Sequence, residues 1–261
     1  MFLTLLALGC SEPEAHREVS HWPRPGVEAI VEVSARVNAE GEAMAWSAAA
    51  WSEERPSVPV SGGCVEVGGR ADVAGLAAID VSAPVSTRLN PTAGRGMEAS
   101  GPLTVRDARW AVGDVHLLSD DAVSLHLEGV LRFGDAVEFT AVVVGAGGEV
   151  YARVAPQPDT TVELDVVGRG GRVVRCSATE DGLLMLPAGL AEAAESGVVL
   201  RGVHDALVVV PNAALLRVRA VVERSLSLTD PVASDRSTPV PRGSAPPWSP
   251  RRVLRDRLSL G

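Results

Sequence analysis

From Val27 to Leu228 the chain is cut into apolar or alternating runs, most of them short and bounded by glycine, proline, asparagine or aspartate. Runs of this length and valine content form strands, because β-branched side chains pack well on a pleated surface and lose freedom in a helix. The first series comprises Val27–Val37, Ala43–Trp51, Cys64–Val67, Val73–Val81, Val85–Leu89, Leu103–Trp110, Val115–Leu118, Ala122–Leu131, Val137–Val144 and Glu149–Val154. Turns are expected at Asn38–Glu42, at Asp120-Asp121 and at Gly145–Gly148. After the proline-bearing break Ala155–Asp159 come Thr160–Val167, Arg172–Ala178, Val198–Val203, Leu207–Val210 and Leu215–Leu228. Pro187–Ser196 reads as a short helix, with proline in the first turn and Leu190, Ala191 and Ala194 as an apolar stripe. The expectation is an all-β chain of two packed antiparallel β-sandwich-like units, residues 26–155 and 160–228, with one short helix near 187–196.

Composition sets limits on chemistry. Hydrophobic residues are 46% and charged residues 22%, a globular balance, and all 24 basic residues are arginine. A chain without lysine has no Walker A phosphate lysine, no Schiff-base lysine for pyridoxal phosphate and no kinase strand lysine. The formal net charge of −9 argues against nucleic acid as a partner. The exception to this acidity is the segment from Thr229 onward, where Asp230, Asp235 and Asp256 face six arginines.

Met1–Cys10 is an apolar run ending Ala7-Leu8-Gly9-Cys10, which resembles the lipobox of bacterial lipoproteins, where the cysteine is acylated. A basic n-region is missing, since the first basic residue is Arg17, so the true start lies upstream in this reading. The alternative is a stray cysteine in an untidy N-terminus. Residues 11–25 then form a proline-containing linker and residues 229–261 a Pro/Ser/Arg-rich, mostly disordered tail. The chain is expected to be exported and held at the bacterial cell envelope, on the outer membrane, by lipid at Cys10.

Further along, Cys176-Ser-Ala-Thr-Glu-Asp181-Gly182, an apolar strand, and then Pro187-Ala188 resemble a segment of uncharacterised secreted lipoproteins of myxobacterial type. Gly62-Gly63-Cys64, Leu103-Thr-Val105 and Phe133-Gly134-Asp135 carry the likeness over residues 60 to 228. The resemblance implies a secreted, lipid-anchored, all-β body and transfers no activity.

Candidate chemistry is sparse. His16 and His21 lie in the linker, while His116 and His126 flank the Asp120-Asp121 turn and can face each other across a hairpin. Two histidines fall short of a tetrahedral zinc site, so they are read as strand residues and no metal ligand is assigned. Glu180-Asp181-Gly182 and Asp120-Asp121 lack the oxygen spacing of a calcium loop and are read as turns. No Gly-x-Ser-x-Gly elbow occurs, and neither a catalytic residue nor a cofactor is assigned. Trp46 and Trp51 fall on opposite faces of a regular strand, and the tryptophans are read as core anchors rather than a sugar platform. With Cys10 given to lipid, Cys64 and Cys176 either pair or are buried separately as small apolar residues; both readings stay open.

The function expected is that of a non-catalytic envelope lipoprotein, a structural or binding module with no protein or glycan partner identified. The alternative is a loop-built hydrolase or a small-ligand or carbohydrate-binding protein. Truncation before Asp230 is expected to leave the melting temperature nearly unchanged. A large drop would show that the tail packs on the body.

Overall fold

The computed structural model describes residues 28–53, 59–68, 70–73, 75–92, 96–103, 112–119, 124–155, 157–168, 171–193, 198–210 and 214–226. The expectations for Cys10, the linker, the tail, His16, His21, Trp22, Trp110, Trp248 and the Asp120-Asp121 turn fall outside these residues. In chain order the strands are β1 (Glu28–Val37), β2 (Ala43–Glu53), β3 (Cys64–Glu66), β4 (Leu76–Val81), β5 (Thr87–Leu89), β6 (Pro91–Thr92), β7 (Gly96–Pro102) and β8 (Val112–Ser119). There follow β9 (Ser124–Arg132), β10 (Phe139–Val144), β11 (Val150–Val154), β12 (Thr161–Val167), β13 (Val173–Ser177) and β14 (Leu183–Leu186). Helix α1 (Ala188–Ala193), β15 (Val198–Val210) and β16 (Ala214–Leu226) complete the order.

Three sheets result. A nine-stranded sheet runs β3-β13-β12-β15-β16-β1-β2-β7-β6, a four-stranded sheet β5-β4-β8-β9, and a three-stranded sheet β10-β11-β14. The fold is all-β and sandwich-like, because one face of the large sheet is covered by both smaller sheets. The alternation in β1 shows why: Ala29, Val31, Val33, Ala35 and Val37 are all buried and share a face. They pack with Leu216, Val218, Ala220 and Val222 of β16 and with Ile79, Val81, Val115, Leu117 and Leu131 of the four-stranded sheet. At the other end Leu164, Val166, Cys176 and Leu200 pack with Val150, Ala152, Leu184 and Leu186 of the three-stranded sheet. Each valine, leucine or isoleucine among them, fully buried, contributes about 1.5–3 kcal/mol of transfer free energy.

The two sandwich-like layers therefore share one sheet. Residues 155–159 join β11 to β12 without dividing it, and the first core takes β16 and the end of β15 from beyond that break. Gly202 of β15 sits at the seam between the two covers, where a Cβ would lie 2.7 Å from Val137 Cγ2. Only a glycine lets the connection from β9 to β10 cross so near the sheet.

The large sheet is also strongly curled. The Val67 amide donates to the Val173 carbonyl at the β3 edge, yet Ala71 bridges Ser52 of β2. Four residues reach at most about 14 Å, whereas β3 and β2 are six strand spacings apart, about 29 Å if the sheet were flat. The sheet must bend until its first edge approaches β2. Its concave face is the polar one, since Arg70 from this crossing segment stacks over the Trp51 ring at 4.3 Å. The order keeps two ends, β3 and β6, so no barrel closes.

Cys64 and Cys176 stand directly opposite each other across β3 and β13 and are joined by a disulfide over a sequence separation of 112. In the chain-entropy model a loop of that length is worth roughly 4–5 kcal/mol.

Several expectations change in detail. Val198–Val210 is one strand rather than two, with His204-Asp205-Ala206 paired throughout to Ala220, Arg219 and Val218. Strand β7 lies in a glycine-bearing stretch that carries no strand signal, and residues 104–110 of the expected Leu103–Trp110 run lie outside the described residues. The pair β1–β16 is parallel within otherwise antiparallel ladders. Trp46 packs on the first core, and Trp51 lies on the concave face.

Gly96 carries a sharp local constraint. Its φ is +73°, its amide donates to Asp72 Oδ1 at 2.7 Å, and a Cβ would sit 2.3 Å from the Ala50 carbonyl oxygen. Gly96→Ala is expected to lower stability by at least about 2 kcal/mol in urea unfolding. Glu98→Ala, on the exposed side of the same strand, should stay within about 0.5 kcal/mol.

Candidate functional site

The concave face is charged where a sandwich interior would be oily. Across β13, β12, β15, β16 and β1 the register sets opposite charges side by side. Asp165 faces Arg175, and Glu163 faces Arg201. Arg201 also faces Glu223, as Asp205 faces Arg219. Arg219 in turn faces Glu32. Directly opposed unlike charges stabilise neighbouring strands.

Glu163, with no exposed surface, is the hub. Arg201 Nη1 donates to its Oε2 at 3.0 Å, Arg175 Nε lies 3.4 Å from that oxygen, and Arg219 Nη2 donates to Oε1. Arg219 Nη1 donates to Glu32 at 2.9 Å, and Arg201 Nη2 meets the other Glu32 oxygen at 2.5 Å. Arg175 grips Asp165 with two bonds of 2.7 and 2.8 Å. Ile30, Trp51, Val203 and Val221 fill the same face between the charges.

Burial alone would raise the Glu32 pKa, but Arg201, Arg219 and Arg175 outweigh it and hold the carboxyl at about 2. Burial likewise opposes the charge on Arg201, and the surrounding carboxylates of Glu32, Glu163, Asp165 and Glu223 overcome it, so its pKa is raised. Glu32 and Arg201 therefore stay ionised at neutral pH. Such a set makes a poor proton shuttle and a good structural lock, since separating any member leaves a buried charge unpaired.

Two polar clefts border this interior. One, of about 500 Å³, is lined by Ser34, Ser47 and Ser100 in a row across β1, β2 and β7, with Arg36, Glu223 and Trp46 beside them. The other, of about 400 Å³, has Ser61, Thr161, Ser177, Asp205 and Arg217 on its wall.

A third depression of about 410 Å³ opens on the outer face of the four-stranded sheet. There His116 and His126 oppose each other across β8 and β9, ring centroids 5.7 Å apart. His126 Nε2 lies 3.4 Å from Asp114 Oδ2. The Gly129 amide, followed by that imidazole, lowers the Asp114 pKa against slight burial. Arg88 binds Asp80 through two bonds, which lower the Asp80 pKa. The Ser82 hydroxyl accepts the Asp114 amide at 2.7 Å, so it is tied to backbone rather than aligned with an imidazole. Among the described residues no group of three or more His, Cys, Asp or Glu side chains could hold a metal ion. Glu180-Asp181-Gly182 forms a turn in which the Gly182 amide returns to the Thr179 carbonyl.

The histidines thus meet as the spacing allowed, and Cys64 meets Cys176. The arginine–carboxylate interior was not read from the sequence. Its signal was present in the alternation of β12 (Glu163, Asp165) and β16 (Arg217, Arg219, Glu223), where charges of opposite sign fill alternate strand positions. Comparison with family models, curated proteins and solved structures finds no match to this chain.

The interior predicts an acid limb in stability. Because the Glu32 pKa is depressed from 4.5 to about 2, its contribution is complete above pH 4.5 and is lost as pH falls toward 2. At about 1.4 kcal/mol per unit it is on the order of 3 kcal/mol. Glu32→Gln should cost about 3–5 kcal/mol at pH 7 and flatten the acid limb. Urea unfolding at pH 7, 4.5, 3 and 2 measures both; an acid slope equal in the two proteins would contradict the assignment.

Proposed function

We propose that this chain is an exported, lipid-anchored protein of the bacterial cell envelope, acting as a non-catalytic structural or binding module. The observation that carries the reading is the Cys64–Cys176 bond, since disulfides persist in oxidising compartments and are rare in the cytosol. The lipobox-like run ending at Cys10 supplies the anchor, with the outer membrane as its seat. The charged interior supports a structural role, because its arginines and carboxylates are committed to one another rather than to a bound substrate. The serine row Ser34–Ser47–Ser100 offers small hydroxyls and free space in a cleft beside Trp46, a surface suited to a small polar ligand such as a sugar.

The wild-type protein should partition into the detergent phase, and Cys10→Ala should release it or block its processing. Alkylation of envelope-purified protein without reductant should leave Cys64 and Cys176 unlabelled, read by mass spectrometry. A Cys10→Ala chain that fractionates like wild type, or two labelled thiols at 64 and 176, would overturn the reading.

A further inference from the structure

The stretch Leu207-Val-Val-Val-Pro-Asn-Ala-Ala-Leu-Leu216 is ten residues without a charge, in a chain where 22% of residues are charged. Its described residues are Leu207–Val210 at the end of β15 and Ala214–Leu216 at the start of β16. Cross-strand pairing continues to Val210 and Ala214, the last described pair at this tip of the two strands. On one face Val210 and Leu216 are buried in the first core. On the other, Leu207 is 55% exposed, Val209 68% and Leu215 40%. Val209 faces Leu215 directly, so these three side chains form one apolar patch.

Topology says where this patch points. Strand β1 is parallel to β16 and begins level with it, Glu28 beside Leu215, so the tip lies beside the start of β1. That start is where the chain arrives from Cys10. Seventeen residues separate Cys10 from Glu28, a tether of at most about 60 Å. The end of the sheet carrying the apolar tip is the end to which the anchor is tied. Charge at the base of the tip is matched: Arg217 donates to Glu28 and to Asp205. The three residues of each strand beyond that triad extend about 10 Å, comparable with the roughly 5–10 Å to which interfacial anchors enter a bilayer.

We propose that the tip of the β15–β16 hairpin inserts its Leu207, Val209 and Leu215 side chains into the surface of the phospholipid bilayer that holds the anchor. This rests on the lipid-anchored reading given above. A bilayer suits the tip because the backbones of Leu207–Val210 and Ala214–Leu216 are paired across the two strands, as an apolar medium requires. A second copy suits it less, since three aliphatic side chains fall well short of the roughly 1,000 Å² that a stable protein interface needs.

The test uses the full acylated chain in phosphatidylethanolamine–phosphatidylglycerol vesicles. With Cys10 carrying lipid and Cys64 bonded to Cys176, Val209→Cys introduces the one free thiol, which takes a polarity-sensitive fluorophore. Val144→Cys, at an equally exposed valine on β10 (68%), is the control. Lipids bearing shallow nitroxide quenchers should quench the label at 209 several-fold more than the label at 144. Adding Leu207→Ser and Leu215→Ser should bring quenching at 209 down to the control level while the melting temperature holds. Equal quenching at the two sites, or quenching at 209 unmoved by the serines, overturns the proposal. So does a label at 209 that is already shielded without vesicles in a protein of dimeric mass. The mass of the purified chain reports acylation separately. A chain without lipid at Cys10 sinks the anchored reading, and the tip is then judged by quenching when vesicles are added to that same chain, its second thiol blocked by Cys10→Ser.

Discussion

Glu163 is the point on which the large sheet turns. A carboxylate with no exposed surface, shared among guanidinium groups from β13, β15 and β16, can exist only if all of those strands hold their register. A one-residue slip of any strand would send its charge to the oily face and bring a valine or leucine to the polar one. The network therefore acts on specificity more than on net stability, since a buried ion set loses in desolvation much of what it gains in attraction. Curling is what makes that burial possible. A flat sheet would leave the same residues in water, where their pairing would be worth little.

Arginine without lysine suits this arrangement. A guanidinium has five donors in a plane and serves several carboxylates at once, as Arg201 does with Glu32, Glu163, Asp165 and Glu223. An ammonium is a point charge and is more strongly hydrated, so it would pay more to enter and bridge fewer partners. The composition that excluded lysine chemistry at the outset thus also describes what fills the inside of the curl.

Much of the strand pattern was legible in the sequence. The alternation of Val31, Val33, Ala35 and Val37 announced β1 and its buried face, and the glycine cluster at 145–148 announced the β10–β11 hairpin. What could not be read was anything decided at long range. Strand β7 has glycine and alanine where a strand signal would need bulk, and it is held in place by β2. His204-Asp205-Ala206 looked like an interruption because a polar pair in an apolar run normally marks a loop; here Arg219 directly opposite Asp205 keeps the strand continuous. Charges at alternate strand positions read as a solvated face, since one sequence of alternation serves equally for water and for a partner of opposite sign. Only the neighbouring strand decides between them.

The parallel pairing of β1 with β16 has a consequence for the order in which the molecule can be assembled. Among the described residues the first strand and the last lie side by side in the middle of the largest sheet, and Glu32 meets Arg219 across 187 residues of chain. Two hairpins, β1–β2 and β15–β16, can form locally, yet each leaves one long edge bare until the other arrives. Contacts of such sequence separation carry a large loop-closure entropy and make for slow folding. A ribosome delivering this chain from its N-terminus would hold β1 without its central partner until nearly the whole body had emerged. The bare edge in that interval, valine-rich on one face, is the kind of surface that invites wrong pairing, and a holding chaperone would find its binding segment there.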